Sequence, residues 1–165
     1  MKIVLNITFL YLLFSSHLQA KEQSVFLVSD LQGVYPGEVV TISLVYNISD
    51  LTQTSGLGLR VFYDSSQLEI QPTSTYFSDG KVAQAIQEDV NDLDDDPSTN
   101  VFINISWASI SGQWPSFPVM DLSLAELVFV PTKVFNGSTL RVEQSSNAVG
   151  YRFVGDKLFL SANHL

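Results

Sequence analysis

The sequence predicts an all-β fold, an antiparallel β-sandwich with jelly-roll topology and about nine strands. Three observations predict it. Apolar and polar residues alternate along several short segments, turn-forming residues separate these segments, and no segment shows the convincing apolar spacing of an α-helix. Because successive side chains of a strand point to opposite faces, the alternation buries one face of each strand and leaves the other in water.

The clearest alternation lies between Pro36 and Ile70. Its first strand carries one apolar face, formed by Val40, Ile42, Leu44, Tyr46 and Ile48. In its second strand Arg60 lies opposite an apolar face formed by Leu57, Leu59, Val61 and Tyr63. A corner at Asp64 then leads into a short strand over 67–71, which Pro72 ends. These segments predict the centre of the sandwich.

The remaining strands are shorter and flank this centre. Regular strand patterns occupy residues 24–29, 101–107, 124–130, 139–143, 151–154 and 157–160. Gly155 and Asp156 predict a tight hairpin between the last two. The least regular part runs from 73 to 97, and within it the segment 82–90 fits either an exposed helical turn or an irregular strand. The pattern leaves both alternatives open for that segment.

Residues 1–20 have the order of a secretory signal peptide. A positive start at Lys2 precedes an apolar run from Ile3 to Phe14, and the small residue Ala20 predicts cleavage after it. The run is too short for a membrane span, which needs roughly 20 apolar residues. The mature part, 21–165, is one domain, which we expect to be secreted or periplasmic.

The composition disfavours several classes of function. The formal net charge of −9 disfavours nucleic acid, whose phosphates bind lysine and arginine, whereas it suits calcium or a neutral glycan. The chain has no cysteine, and its two histidines are His17 in the leader and His164 beside the end of the sequence, so no nucleophile–histidine pair is expected. Paired carboxylates for glycoside hydrolysis, drawn from Glu69, Glu88 or Asp89, lie in polar segments. We therefore expect no catalytic residues and no enzyme.

An acidic run between Glu88 and Asn100 is the sharpest candidate for a site. Calcium binds six to eight oxygens from carboxylates and carbonyls on a bending loop. The candidate ligands are Asp92, Asp94, Asp96, Asn91 and Asn100. Pro97 stands where an EF-hand has its glycine, so this is not an EF-hand. The alternative is a solvated acidic loop without an ion.

Aromatic residues outside the regular strands are candidates for ligand binding. Flat rings of Trp and Tyr stack on apolar faces such as those of sugars when they are exposed. Alternation places Trp107 in the core, whereas Trp114 lies in a loop rich in glycine, proline and serine, where partial exposure is expected. Tyr76 and Phe77 are similar loop aromatics. The alternative is that each of the three covers an end of the core.

Several of these segments, in this order, resemble the cohesin-like domains of bacteria, within the group of carbohydrate-binding-module sandwiches. The resemblance rests on residues 34–38, 56–64, 68–70, 107–115, 124–130, 148–153 and 158–160. It covers nearly the whole mature chain and implies a nine-stranded jelly-roll sandwich. It also implies that the domain binds a protein module or a polysaccharide.

The sequence therefore predicts a secreted, non-catalytic binding or adhesion module with a protein module or a polysaccharide as partner. One expected binding surface is a single polar sheet face that carries Thr41, Ser43, Asn47, Arg60, Asn104 and Ser106, with exposed apolar side chains such as Phe62 and Phe102. The other is the loop end near Trp114. A structural component of an extracellular matrix and a small glycoside-active enzyme are the alternatives.

Overall fold

A computed structural model describes residues 21–29 and 31–163 as two β-sheets. The strands are β1 (Lys21–Ser29), β2 (Gly33–Val34), β3 (Val40–Ile48), β4 (Gly56–Tyr63), β5 (Leu68–Ile70), β6 (Thr75–Tyr76), β7 (Lys81–Glu88), β8 (Val101–Ala108), β9 (Leu122–Pro131), β10 (Ser138–Ser146), β11 (Tyr151–Val154) and β12 (Lys157–Ala162). Nine of the twelve are four residues or longer. The described part of the chain contains no helix long and apolar enough to cross a membrane. The predicted signal peptide lies outside the described residues.

The strands divide into two sheets. Sheet one has the order β11-β1-β3-β9-β5, with β6 also paired to β9, and sheet two has the order β2-β12-β10-β4-β8-β7. All neighbours are antiparallel except the pairs β1–β11 and β2–β12, which are parallel. The predicted β-sandwich is confirmed.

The core fills the space between the sheets. The alternating apolar faces of β3, β4 and β8 all point into it, and Tyr46, Trp107 and Phe129 are among its largest fully buried side chains. Each fully buried large apolar side chain contributes roughly 1.5–3 kcal/mol relative to exposure. The inner faces of the two sheets are therefore occupied by the core, and binding surfaces must lie on the outer faces, along the sheet edges or on the loops at either end.

The predicted hairpin at Gly155 and Asp156 is wrong. Strand β11 pairs with β1 in sheet one, whereas β12 pairs with β10 in sheet two. Asp156, in the connection between β11 and β12, makes hydrogen bonds to a strand of each sheet. The Asp156 carboxylate accepts a hydrogen bond from the Leu27 N–H (3.0 Å), and the Asp156 carbonyl accepts one from Val142 (2.9 Å). The turn residues thus carry the chain from one sheet to the other.

The segment 82–90, for which the sequence left two alternatives open, forms most of a regular strand. Strand β7 pairs with β8 over eight residues without a register shift and lies at the edge of sheet two. All eight of its residues are exposed. One face carries Ala83, Ala85 and Gln87, and the other mixes Val82 and Ile86 with Gln84 and Glu88, which explains why the sequence shows neither a helical nor a half-buried strand pattern.

Candidate functional site

The outer face of sheet two presents a row of side chains across four strands. Glu143 on β10 pairs with Arg60 on β4, Arg60 with Asn104 on β8, and Asn104 with Ala85 on β7. The neighbours of Arg60 along β4, Leu59 and Val61, point into the core, so this row points outward. We call these four residues the Arg60 row.

Two polar atoms in the Arg60 row are buried without a hydrogen-bond partner, Arg60 Nε and Asn104 Oδ1. The Arg60 guanidinium also lies over the ring of Phe102, 5.6 Å from its centroid. A buried donor or acceptor without a partner costs about 1–3 kcal/mol. A donor and an acceptor lie side by side here, at the middle of an outer face. Both residues are only partly buried, so a ligand that binds on this face and turns the two side chains toward it would supply the missing partners.

Other buried unpartnered side-chain atoms of the described residues lie away from this face. Trp114 Nε1 is in the core. Ser138 pairs with the core residue Leu160 on β12, so its Oγ lies on the core side of β10. The Arg60 row is therefore the place where such atoms neighbour each other across a strand pair.

On one side of the Arg60 row the face is flat. The next row consists of Gly58, Ser106 and Ala83, and the row after it of Gly56, Ala108 and Lys81. Small side chains let the backbone of a partner approach closely. Bulk at Gly58 is also excluded, because a Cβ there would lie 2.5 Å from the hydroxyl oxygens of Ser145 and Ser146.

On the other side of the Arg60 row lie Phe62 and Phe102, which the sequence predicts to be exposed. That prediction is wrong, because both rings are buried and pack against each other with centroids 5.3 Å apart. The acidic loop, residues 89–100, lies over this side. The Arg141 Nη1 group on β10 donates to the Asp94 carbonyl at 2.6 Å, and Lys157 Nζ on β12 lies 3.5 Å from Asp96 Oδ2. The loop therefore crosses from the β7–β8 edge to the far half of the sheet.

Within the acidic loop the structure brings together a different set of carboxylates from the predicted one. Ligand oxygens of Asp89, Asp92 and Asp94 lie within 4.8 Å of one another. Asp89 was missed because it stands at the end of β7, outside the alternating Asp92-Asp94-Asp96 pattern. It joins the cluster through a tight turn in which Asp92 N–H approaches the Asp89 carbonyl (3.4 Å).

The other predicted metal ligands lie outside this cluster. Asp96 accepts hydrogen bonds from the Ser98 hydroxyl (2.6 Å) and N–H (3.1 Å), which together with Lys157 lower its pKa. Asn100 Oδ1 accepts the Ser65 N–H at 2.8 Å, and Asn91 is exposed. Of the predicted five, the structure therefore brings together Asp92 and Asp94, and metal binding by this loop stays a prediction.

Asp94 is the buried member of the cluster, and burial makes the ionised form of its carboxylate unfavourable. Burial raises its pKa, although the Thr99 hydroxyl donates to its carboxylate at 3.1 Å. The three carboxylates supply the hard oxygen ligands that calcium prefers, and loop carbonyls and water would have to complete the six to eight that it needs. The chemistry of the donor set fits calcium.

The aromatic candidates have a different environment from the one predicted. Trp114 is 0% exposed, so the prediction of partial exposure is wrong. Its backbone exchanges two hydrogen bonds with Thr54, and its ring stacks on Trp107 with centroids 6.0 Å apart. The loop thus folds its tryptophan into the core. Tyr76 and Phe77 are half-buried and pack against the core, and their role in ligand binding stays a prediction.

The single polar face predicted from alternation is in fact two faces. Thr41, Ser43 and Asn47 lie on β3 in sheet one, whereas Arg60, Asn104 and Ser106 lie on β4 and β8 in sheet two. Alternation shows which side of a strand is polar but not to which sheet the strand belongs. The two halves of the predicted surface therefore point in opposite directions.

Comparison with solved structures identifies the fold. A type II cohesin domain from the cellulosome of Acetivibrio cellulolyticus superposes with a TM-score of 0.55 over 84% of this chain and 95% of its own, at 17% identity. The chain has a cohesin-like fold. A cohesin module from a Clostridium perfringens family 33 glycoside hydrolase gives a TM-score of 0.54 at 12% identity, over 87% of this chain and 97% of that module.

A further similar structure carries a bound partner. It is the sixth cohesin of Acetivibrio cellulolyticus scaffoldin B in complex with a mutant Cel5 dockerin, with a TM-score of 0.51 at 16% identity over 86% of this chain and 99% of that one. No protein-family model and no curated protein matches the sequence.

Proposed function

We propose that this chain is an exported, non-catalytic protein-binding module that uses the outer face of sheet two, centred on the Arg60 row, to bind a partner module of the dockerin type. The observation that carries the proposal is the pair of buried unpartnered atoms, Arg60 Nε and Asn104 Oδ1. The complex of a similar cohesin with a dockerin supports the class of partner.

The chemistry of the face favours a protein over a polysaccharide. Arginine is enriched at the centres of protein interfaces, where its guanidinium meets carboxylates and carbonyls of the partner. A polysaccharide site would be expected to present exposed aromatic rings, but Trp114 is buried, Tyr76 and Phe77 pack against the core, and the Arg60 row itself has no aromatic residue. The flat rows beside Arg60 suit the close approach of a protein backbone.

A calorimetric titration tests the proposal. The purified protein is titrated with the Cel5 dockerin of Acetivibrio cellulolyticus and a panel of other dockerins, and in parallel with cellulose and xylan oligosaccharides. We expect saturable 1:1 binding to at least one dockerin with a Kd of about 1 μM or tighter, which corresponds to roughly −8 kcal/mol. We expect neither binding nor hydrolysis of the oligosaccharides. Binding of sugars alone, or their cleavage, would support the alternative functions instead.

We further propose that calcium orders the acidic loop through Asp89, Asp92 and Asp94. Their convergence and the raised pKa of Asp94 support it, because a cation would relieve both the mutual repulsion and the cost of burying that carboxylate. The loop covers Phe62 and Phe102 beside the Arg60 row. An ordered loop would thus fix one border of the proposed binding face.

Thermal melting with 1 mM calcium or with a chelator tests this second proposal. If calcium is present at 100 times its Kd, it stabilises the native state by about 2.7 kcal/mol, and we expect a midpoint higher by roughly 5–10 °C. Asp92→Asn should lose most of this difference. Asp95→Asn is the matched control, because Asp95 is outside the cluster and shares the positive φ of Asp92 (52° and 50°). An equal midpoint with calcium and chelator would refute the calcium site.

A further inference from the structure

Strand β7 is the long open edge of the described structure. Sheet two ends at β7 on one side and at the two-residue β2 on the other. Sheet one ends at the four-residue β11 and the three-residue β5. Strand β7 has eight residues, so it offers more unpaired backbone than any of these.

Nothing in β7 blocks pairing with another strand. Natural edge strands are usually protected by proline, by bulges, by charges or by shortness. The sequence from Lys81 to Glu88 contains no proline or glycine, pairs with β8 without a shift, and is charged only at its two ends. These opposite charges cancel, whereas the whole chain carries −9. The eight residues of the strand therefore add no net charge of their own to a contact between two copies of this acidic protein.

The hydrogen bonds at the ends of β8 show which backbone groups of β7 are free. Ser109 N–H bonds to the Ser55 carbonyl at the β4 side, and Asp89 N–H bonds to the Asn100 carbonyl at the β7 side. Hydrogen-bonded residues alternate along an antiparallel ladder, so the odd-numbered residues of β7 bond to β8. The even-numbered residues, Val82, Gln84, Ile86 and Glu88, direct their N–H and C=O groups to the open side.

The same even-numbered residues include two apolar side chains, Val82 and Ile86, that can cover each other when two copies of β7 pair. Val82 and Ile86 are 38% and 57% exposed, and both lie on the side of sheet two that faces sheet one. Side chains directly opposite each other in an antiparallel pair point to the same side of the sheet. Two copies of β7 related by a two-fold axis therefore continue the same sheet faces only if even-numbered residues pair with even-numbered ones. Centring the axis on Gln84 sets Val82 of each copy opposite Ile86 of the other. In this register the outward N–H and C=O groups of 82, 84 and 86 also pair.

We propose that two copies of this protein associate through antiparallel β7–β7 pairing, with Gln84 on the two-fold axis. The pairing satisfies the free backbone groups of both edges and covers Val82 and Ile86 with each other. It joins sheet two of one copy to sheet two of the other, so that the two form one continuous sheet. The Arg60 row lies on the outer face, so the contact leaves it free in both copies, and the proposal does not depend on the proposed dockerin binding.

Cysteine cross-linking tests the register, because the natural chain has no cysteine. Cα atoms of a hydrogen-bonded antiparallel pair lie about 5.5 Å apart, within the range that a disulfide spans. Gln84→Cys is therefore expected to give mostly covalent dimer under mild oxidation. Gln87→Cys is the matched control on the same strand, since its two copies would be about 20 Å apart and should remain monomeric. Equal cross-linking of both variants would overturn the register.

Sedimentation of the cysteine-free protein tests the association itself. We expect a concentration-dependent dimer, and Ile86→Lys should raise its dissociation constant at least about 10-fold by placing a charge opposite Val82. Val149→Lys, at an exposed apolar residue in the connection between β10 and β11, should leave the dimer unchanged. A protein that stays monomeric at about 1 mM, together with Gln84→Cys that does not cross-link, would overturn the proposal.

Discussion

Replacing Trp114 by alanine is expected to lower the free energy of unfolding by about 3–5 kcal/mol, the usual cost of removing a large buried aromatic side chain. The indole is fully buried between Trp107 and Tyr46, with ring centroids 6.0 and 5.3 Å away. Its removal leaves a cavity between rings that the surrounding strands hold in place. The Trp114–Thr54 backbone bonds and the hydrogen bonds of Ser116 with Asp79 and Gln53 would still hold this loop on the sandwich.

Chemical denaturation measures this effect, and the same loop provides the control. Phe117→Ala removes an aromatic ring that is 82% exposed, so we expect a change within about 0.5 kcal/mol. Similar losses in the two variants would contradict the buried position of Trp114. A small loss in Trp114→Ala alone would show that the loop is not part of the core.

The sequence predicts the strands themselves well where one face is buried. The apolar alternation of β3, β4 and β8 gives their bounds closely, because burial of one face of a strand is a local property of every second residue. The same alternation does not tell which sheet a strand joins. Gly155 and Asp156 look like a hairpin turn, yet their hydrogen bonds to β1 and β10 send the strands on either side into different sheets.

The candidate site could be predicted only in part for the same reason. Arg60 and Asn104 are visible as polar residues on the polar faces of two strands. Their position side by side depends on the β4–β8 register, which is set between distant segments. Asp89 joins the carboxylate cluster through a turn, and Trp114 reaches the core through the path of its loop. Neither is a property of residue spacing.

Replacing Arg60 by alanine is expected to weaken binding of a dockerin by about 30-fold or more, which corresponds to a hot-spot effect of about 2 kcal/mol. In the free protein Arg60 Nε has no hydrogen-bond partner, and the side chain is partly exposed, so turning it toward a bound module gains an interaction without breaking an existing hydrogen bond of Nε. The side chain stands at the centre of the outer face, between Glu143 and Asn104. Its loss should leave the fold intact, because the core lies on the other side of β4.

The most direct test of the account compares the dockerin affinities of three forms of the protein by calorimetry: wild type, Arg60→Ala and Arg152→Ala. Arg152 is the matched control because it lies on β11 in sheet one and pairs there with Glu22. We predict that Arg60→Ala loses about 30-fold or more in affinity at an unchanged melting midpoint, while Arg152→Ala binds as wild type does. Wild-type affinity in Arg60→Ala with a loss in Arg152→Ala would place the binding face on sheet one and contradict the account.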